Sequence, residues 1–183
     1  NKTIGTRGFT GAIATDNDEI AHKIDCIRNQ GRFNEDKTIP VTEIGMNAKP
    51  QELQVGLIWK NLTYMDEWQK RRKEIFDKFA NAVEGKPCRV MKARPYCESS
   101  YYKFTLDLND RDGFMKFMHE RGIDATVTHI DNWTDLWGDG KKMPNAEKLS
   151  KSTASLPVSP FFTNEQIDKI TKAITEYFVK VDI

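Results

Sequence analysis

An α/β fold is predicted for this 183-residue chain. Three patterns predict it. The opening reads as strand, turn and helix. Residues 50 to 85 carry apolar side chains at helical spacing. Beyond a Gly85-Lys86-Pro87 break, strand-like and helical stretches alternate.

The elements follow in order. Gly11 to Thr15 predicts a short buried strand. Asp16, Asn17 and Asp18 offer caps for a helix carrying Ile20, Ile24 and Ile27, which Gly31 ends. Residues 32 to 46 are polar, contain Pro40 and predict a loop. Pro50 suits the first turn of a helix, where no backbone donor is needed. Its apolar stripe is Leu53, Leu57, Ile58, Leu62 and Met65. A second helix from about Asp66 carries Ile75, Phe76, Phe79 and Val83, and its charged run from Gln69 to Glu74 reads as a solvated face.

After the break, Arg89 to Ala93 and Tyr101 to Leu106 read as strands. Asn109 caps a helix through Phe114, Phe117 and Met118, and Gly122 ends it. Ala125 to Thr128 is a further strand candidate. Pro144 opens another helix. Thr163 with Gln166 forms a capping box for the last one, whose apolar face is Ile167, Ile170, Ile174 and Phe178. The expected organisation is 1–49, the end of a larger domain; 50–85, connecting helices; and 86–183, a small α+β domain.

Composition narrows the function. Lys plus Arg number 28 against 27 for Asp plus Glu, a net charge of +1. That balance argues against a nucleic-acid partner. Apolar runs are too short for a membrane span. Cys26, Cys88 and Cys97 lack CxxC spacing, which fits a reduced, cytoplasmic protein and no metal site. The Asn-x-Thr matches at Asn61 and Asn132 therefore read as chance. The chain begins with Asn, and its first Met is Met46; an upstream segment is expected.

Candidate chemistry starts at the opening. Lys2 precedes Gly5, Gly8 and Gly11. Glycine lets backbone approach a ligand, and a lysine held before such a turn can form a Schiff base. A solvated Lys2 on a plain loop is the competing reading.

The order of Lys2, glycine turn, strand and helix, then Gly45-Met46-Asn47-Ala48-Lys49 before a long helix, resembles the C-terminal half of the DegT/DnrJ/EryC1/StrS sugar aminotransferases. The similarity runs from Lys2 to the end and rests on three blocks: Lys2 to Thr15, Gly45 to Arg72, and Met143 to Ile174 with PNAEKL and SLPVSP. The resemblance implies the aspartate-aminotransferase-like fold, pyridoxal-phosphate fold type I. It implies pyridoxal 5'-phosphate as cofactor and transamination of a keto-sugar nucleotide in deoxyamino-sugar biosynthesis. It also implies glutamate as amino donor, and a homodimer. By the same resemblance Lys2 is the catalytic lysine that joins the cofactor, and Asn47 reaches across the dimer to the cofactor phosphate. Lys49 meets the phosphates of the substrate, and Tyr102 and His129 face it.

Plainer roles stand beside these: a helix-start cap for Asn47, a solvent-facing Lys49, a half-buried strand tyrosine and a loop histidine. Two departures bear on the substrate and on activity. Phe9 and Thr10 replace the family's acid and one glycine, and Thr128 to Trp133 replaces a proline- and histidine-containing segment. A second function class is a non-catalytic folded fragment or interaction domain without cofactor.

Overall fold

The computed structural model describes residues 3–5, 8, 10–127 and 142–181. Lys2, Phe9, His129 and Asn132 lie outside the described residues, as does the departing segment from Thr128 to Trp133. The chain forms two compact units, 1–65 and 66–183. The stretch 50–85 is divided between them.

In the first unit, α1 (Asp18–Arg28) starts where Asn17 Oδ1 accepts from the N–H groups of Glu19 and Ile20, at 2.9 and 3.1 Å. This satisfies two of the helix's orphan donors. A short 3-10 turn follows at Phe33–Glu35. α2 (Glu52–Leu62) has Gln51 as its N-cap, so Pro50 lies just outside the helix rather than in its first turn.

The strand expected at 11–15 is absent, and Ile13 is 73% exposed. A strand needs a neighbour for its backbone groups. The described residues of this unit hold only one isolated bridge, between Asn29 and Asn47. The α2 stripe is also unburied: Leu53, Leu57 and Leu62 are exposed, as is Trp59.

The second unit is built on an antiparallel sheet of β1 (Cys88–Val90), β2 (Lys103–Leu108) and β3 (Thr153–Pro157), with β2 central. Strict alternation along β2 buries Phe104, Leu106 and Leu108 on one face. α3 (Met65–Ala82) and α4 (Arg111–His119) pack into that core. α5 (Pro144–Ser152) leads directly into β3, and α6 (Asn164–Val181) completes the core. Phe104 meets Phe76 and Phe79 edge-on, with ring centroids 5.1 and 5.6 Å apart. The predicted α6 face, Ile167, Ile170, Ile174 and Phe178, is buried. Thr163 and Gln166 cap α6 reciprocally, at 3.0 and 3.2 Å.

Three local readings differ. Asp110, not Asn109, caps α4 by accepting from Gly113 N–H at 2.9 Å. A Cβ at Gly113 would sit 1.9 Å from that carboxylate, so glycine is required there. Residues 125–127 make only an isolated bridge, Thr126 to Ser155. The strand on that side is β3. Pro157 and Pro160 disguise it, but the Thr105 and Ser155 hydroxyls join it to β2 at 2.8 Å. Finally, Arg72 interrupts the expected solvated face. It precedes Ile75 and Phe76 by three and four residues, so it shares their side of α3 and is buried. Burial pushes its guanidinium below the usual range.

Phe104 is fully buried at the junction of α3 and β2. Phe104→Ala should cost about 3–5 kcal/mol of stability. Urea unfolding followed by circular dichroism checks this; a loss near zero would contradict the core described.

Candidate functional site

The first unit gathers its polar side chains by a close backbone contact. α1 ends at Arg28, and the chain then turns back through two residues in the left-handed region, Gln30 at φ 60° and Gly31 at φ 85°. Gly31 N–H donates to Cys26 C=O at 2.8 Å, closing the helix end. Residues 41–48 then run back along this turn. Met46 N–H donates to Ile27 C=O at 2.8 Å, Ala48 N–H to Arg28 C=O at 3.1 Å, and Thr42 N–H to Gly31 C=O at 3.0 Å.

Two glycines make the approach possible. A Cβ at Gly31 would lie 2.2 Å from Glu43 C=O, and one at Gly45 would lie 2.2 Å from Gly31 N. Gly45 therefore opens the Gly-x-Asn-x-Lys block for a steric reason. The backbone cannot seat Asn47 against Asn29 if a side chain stands at position 45.

A cavity of about 380 Å³ results, lined by Asn29, Gln30, Arg32, Lys37, Asn47 and Lys49. Asn29 is 5% exposed; its amide donates to Asp25 at 3.1 Å, while its Oδ1 finds no partner among the described residues. Arg32 Nε is likewise buried without a partner among them. Among the described residues, no carboxylate lines it. Asp25 is engaged by Asn34 N–H at 2.8 Å, which with Arg28 and Asn29 holds its carboxyl below the usual range. Asp36 accepts from Thr38 and is lowered in the same sense. Cations, amides and an unpaired buried donor make this a place for an anion.

The expected site residues fall unevenly. Asn47 and Lys49 are brought together in the cavity. Asn47 does not cap α2: the N-cap position is Gln51, which makes no side-chain cap hydrogen bond. Tyr102 is half-buried in the second unit, ahead of β2, with Lys103 Nζ 5.9 Å from its ring centroid. Lys2 and His129 lie outside the described residues. The loop after Lys2 is tied down at Ile4 and Gly5. Their carbonyls accept from the Asn61 amide at 2.9 and 2.8 Å. Sequence reading missed Asn29, Arg32 and Lys37. The one pointer to them was the pair of glycines at 31 and 45, which bring two distant segments into contact.

A family model for the DegT/DnrJ/EryC1/StrS aminotransferase family matches residues 1–175. The chain belongs to that family. It is 26% identical, over 189 aligned residues, to a dTDP-3-amino-3,4,6-trideoxy-alpha-D-glucose transaminase of Streptomyces venezuelae, covering 99% of this chain and 49% of that protein. Among solved structures, S. venezuelae DesV superposes with a TM-score of 0.87 at 22% identity, over 96% of this chain and 48% of DesV. NtdA of Bacillus subtilis, solved with bound cofactor PMP, gives 0.81 at 22% identity, over 96% of this chain and 43% of NtdA. The chain spans about half the length of the curated relatives it matches. The fold is the expected one, that of the type I pyridoxal-phosphate enzymes.

Gly45→Ala forces Cβ into the Gly31 backbone, and overpacking of this kind costs about 1–3 kcal/mol. The main-chain N–H groups of Met46 and Ala48 should then exchange with deuterium faster. Unchanged exchange at both would refute the steric account.

Proposed function

We propose that the whole protein transfers an amino group from glutamate to the keto group of a nucleotide-linked sugar, with pyridoxal 5'-phosphate as cofactor. Membership of the aminotransferase family carries this reading. The dTDP-sugar transaminase among the relatives supports the substrate class. The PMP bound in the NtdA structure, the amine form of pyridoxal phosphate, supports the cofactor. The donors around the cavity fit a phosphate end: neutral amides, Arg32 with its buried Nε, Lys37 and Lys49, with no carboxylate among the described lining residues. When bound, pyridoxal phosphate supplies an electron sink for breaking a bond at the carbon that bears nitrogen.

This chain's residues take the remaining roles. Lys2 Nζ binds the cofactor and afterwards moves the proton that transamination relocates. Asn47 donates its amide to the phosphate held by the neighbouring copy in a homodimer. Lys49 meets the phosphates of the substrate, and Tyr102 and His129 face its sugar. Residues 1–49 then complete the cofactor-binding domain, and the small α+β domain closes the chain. The exposed apolar groups of the first unit, Ile13, Leu53 and Trp59 among them, are surface that the whole dimeric enzyme covers. The three free cysteines support a cytoplasmic location. Among the described residues no helix is long and apolar enough to cross a membrane.

The direct test supplies the whole protein with pyridoxal phosphate, glutamate and a dTDP-linked keto-sugar. The expected products are the amino sugar and 2-oxoglutarate, read by mass spectrometry. Borohydride reduction followed by peptide mapping should place the cofactor label on Lys2; a label on any other lysine would refute that role.

Asn47→Ala removes a hydrogen bond to a charged group. It should weaken cofactor binding by about 1.5–3 kcal/mol, roughly ten- to a hundredfold. Co-expressed Lys2→Ala and Asn47→Ala subunits should restore one working site per mixed dimer. Failure to recover activity in proven mixed dimers would place Asn47 within its own subunit's site or outside it.

A further inference from the structure

We infer that Gln69 and the left-handed backbone of Tyr101 are positioning elements for Tyr102: they turn it out of the core and present it to the acceptor sugar. The inference rests on the sugar-facing reading of Tyr102 given above.

The alternation of β2 sets the contrast. Phe104, Leu106 and Leu108 face the core, so extended backbone would send Tyr102 to the same side and Tyr101 to the other. The reverse is found. Tyr101 packs against the core cluster, its ring centroid 5.2 Å from that of Phe76, and Tyr102 is not part of that cluster. The period breaks at Tyr101 itself, whose φ is 47°. An aromatic residue in the left-handed region is strained, and such strain persists only where the surroundings hold it.

α3 supplies the hold. Gln69 Nε2 donates to the Ser99 carbonyl, and Ser99 Oγ accepts from Tyr101 N–H at 3.1 Å. Phe76, further along the same face of α3, receives the Tyr101 ring. One helix thus fixes both the backbone and the ring of the strained residue. Gln69 Oε1 is buried with no hydrogen-bond partner among the described residues. An amide with one end unsatisfied is a cost to the fold that an apolar side chain of the same size would not carry. Its presence is accounted for by what its donor end holds. On the other flank, Lys103 Nζ donates to Thr126 Oγ1 at 3.3 Å and stands 5.9 Å from the Tyr102 ring centroid. Tyr102 is therefore bracketed by anchored neighbours on both sides.

The experiment uses the whole protein with pyridoxal phosphate, glutamate and a dTDP-linked keto-sugar. Gln69→Leu removes the donor and the unsatisfied oxygen together, so its melting temperature should equal or exceed that of wild type. The peptide spanning residues 99–103 should take up deuterium faster. KM for the keto-sugar should rise about fivefold, with kcat and the KM for glutamate within about twofold of wild type. In a Tyr102→Ala background, Gln69→Leu should add no further loss, because it acts through Tyr102. Tyr101→Asn tolerates the left-handed region and Tyr101→Val does not, while both lack the ring; the asparagine variant should keep the lower sugar KM.

Unchanged deuterium uptake at 99–103 in Gln69→Leu would overturn the inference whatever the activity. So would a lowered melting temperature with an unchanged sugar KM, which would leave Gln69 a prop of the fold alone. The two readings fail separately. A wild-type sugar KM in Tyr102→Ala removes the sugar-facing role of Tyr102, with uptake at 99–103 still deciding whether Gln69 holds the turn. A raised KM in Tyr102→Ala that Gln69→Leu compounds in full removes only the positioning role.

Discussion

The first unit depends on a contact in which two backbones touch with no side chain between them. Gly31 faces Glu43, and Gly45 faces Gly31; in each case an added Cβ would fall 2.2 Å from a main-chain atom. Everything polar nearby is placed by that contact. It aligns the carbonyls of Ile27 and Arg28 with the N–H groups of Met46 and Ala48. It sets Asn47 beside Asn29, and it leaves the 3-10 turn to swing Arg32 and Lys37 to the same cavity. A helix end with unpaired carbonyls needs partners. Here the partner is a passing strand-like arm, so satisfying the helix and shaping the cavity are one event.

The second unit rests on different physics. Its cohesion is apolar, with β2 alternating strictly and three helices covering one face. On the other face polar groups are paired rather than buried. Arg89 meets Asp107 across the β1–β2 pair at 2.9 Å, and Ser152 with Arg89 holds the Asp107 carboxyl below its usual range. This unit has a core of its own, whereas the first has Cys26 as its one buried apolar side chain among the described residues. The contrast follows from sequence, because α3 and α6 repeat large apolar residues at helical spacing while residues 32–49 do not.

That difference explains what could be read in advance. Helix positions, the capping box of α6, the glycine stop at Gly122 and the buried α6 face were legible because each is a local or periodic property. The family was legible from three blocks in order, Lys2 to Thr15, Gly45 to Arg72 and Met143 to Ile174. The strand at 11–15 was misread because apolarity alone does not supply a pairing partner, and β3 was missed because Pro157 and Pro160 imitate a loop. Asn29, Arg32 and Lys37 carried no local signal. Their place in the cavity comes from a contact between segments well separated along the chain, as the Asn29–Asn47 bridge is. Neither propensity nor periodicity encodes such a contact.

The hydrogen bonds of Asn61 give α2 a further significance. The helix begins just after the arm bearing Asn47 and Lys49, and near its other end Asn61 holds the carbonyls of Ile4 and Gly5. From Glu52 to Asn61 the helix rises about 14 Å. α2 is thus a rigid spacer that holds the opening loop and the Asn47 arm at opposite ends of a rod. Shortening it by one turn would change the span without touching a single cavity residue.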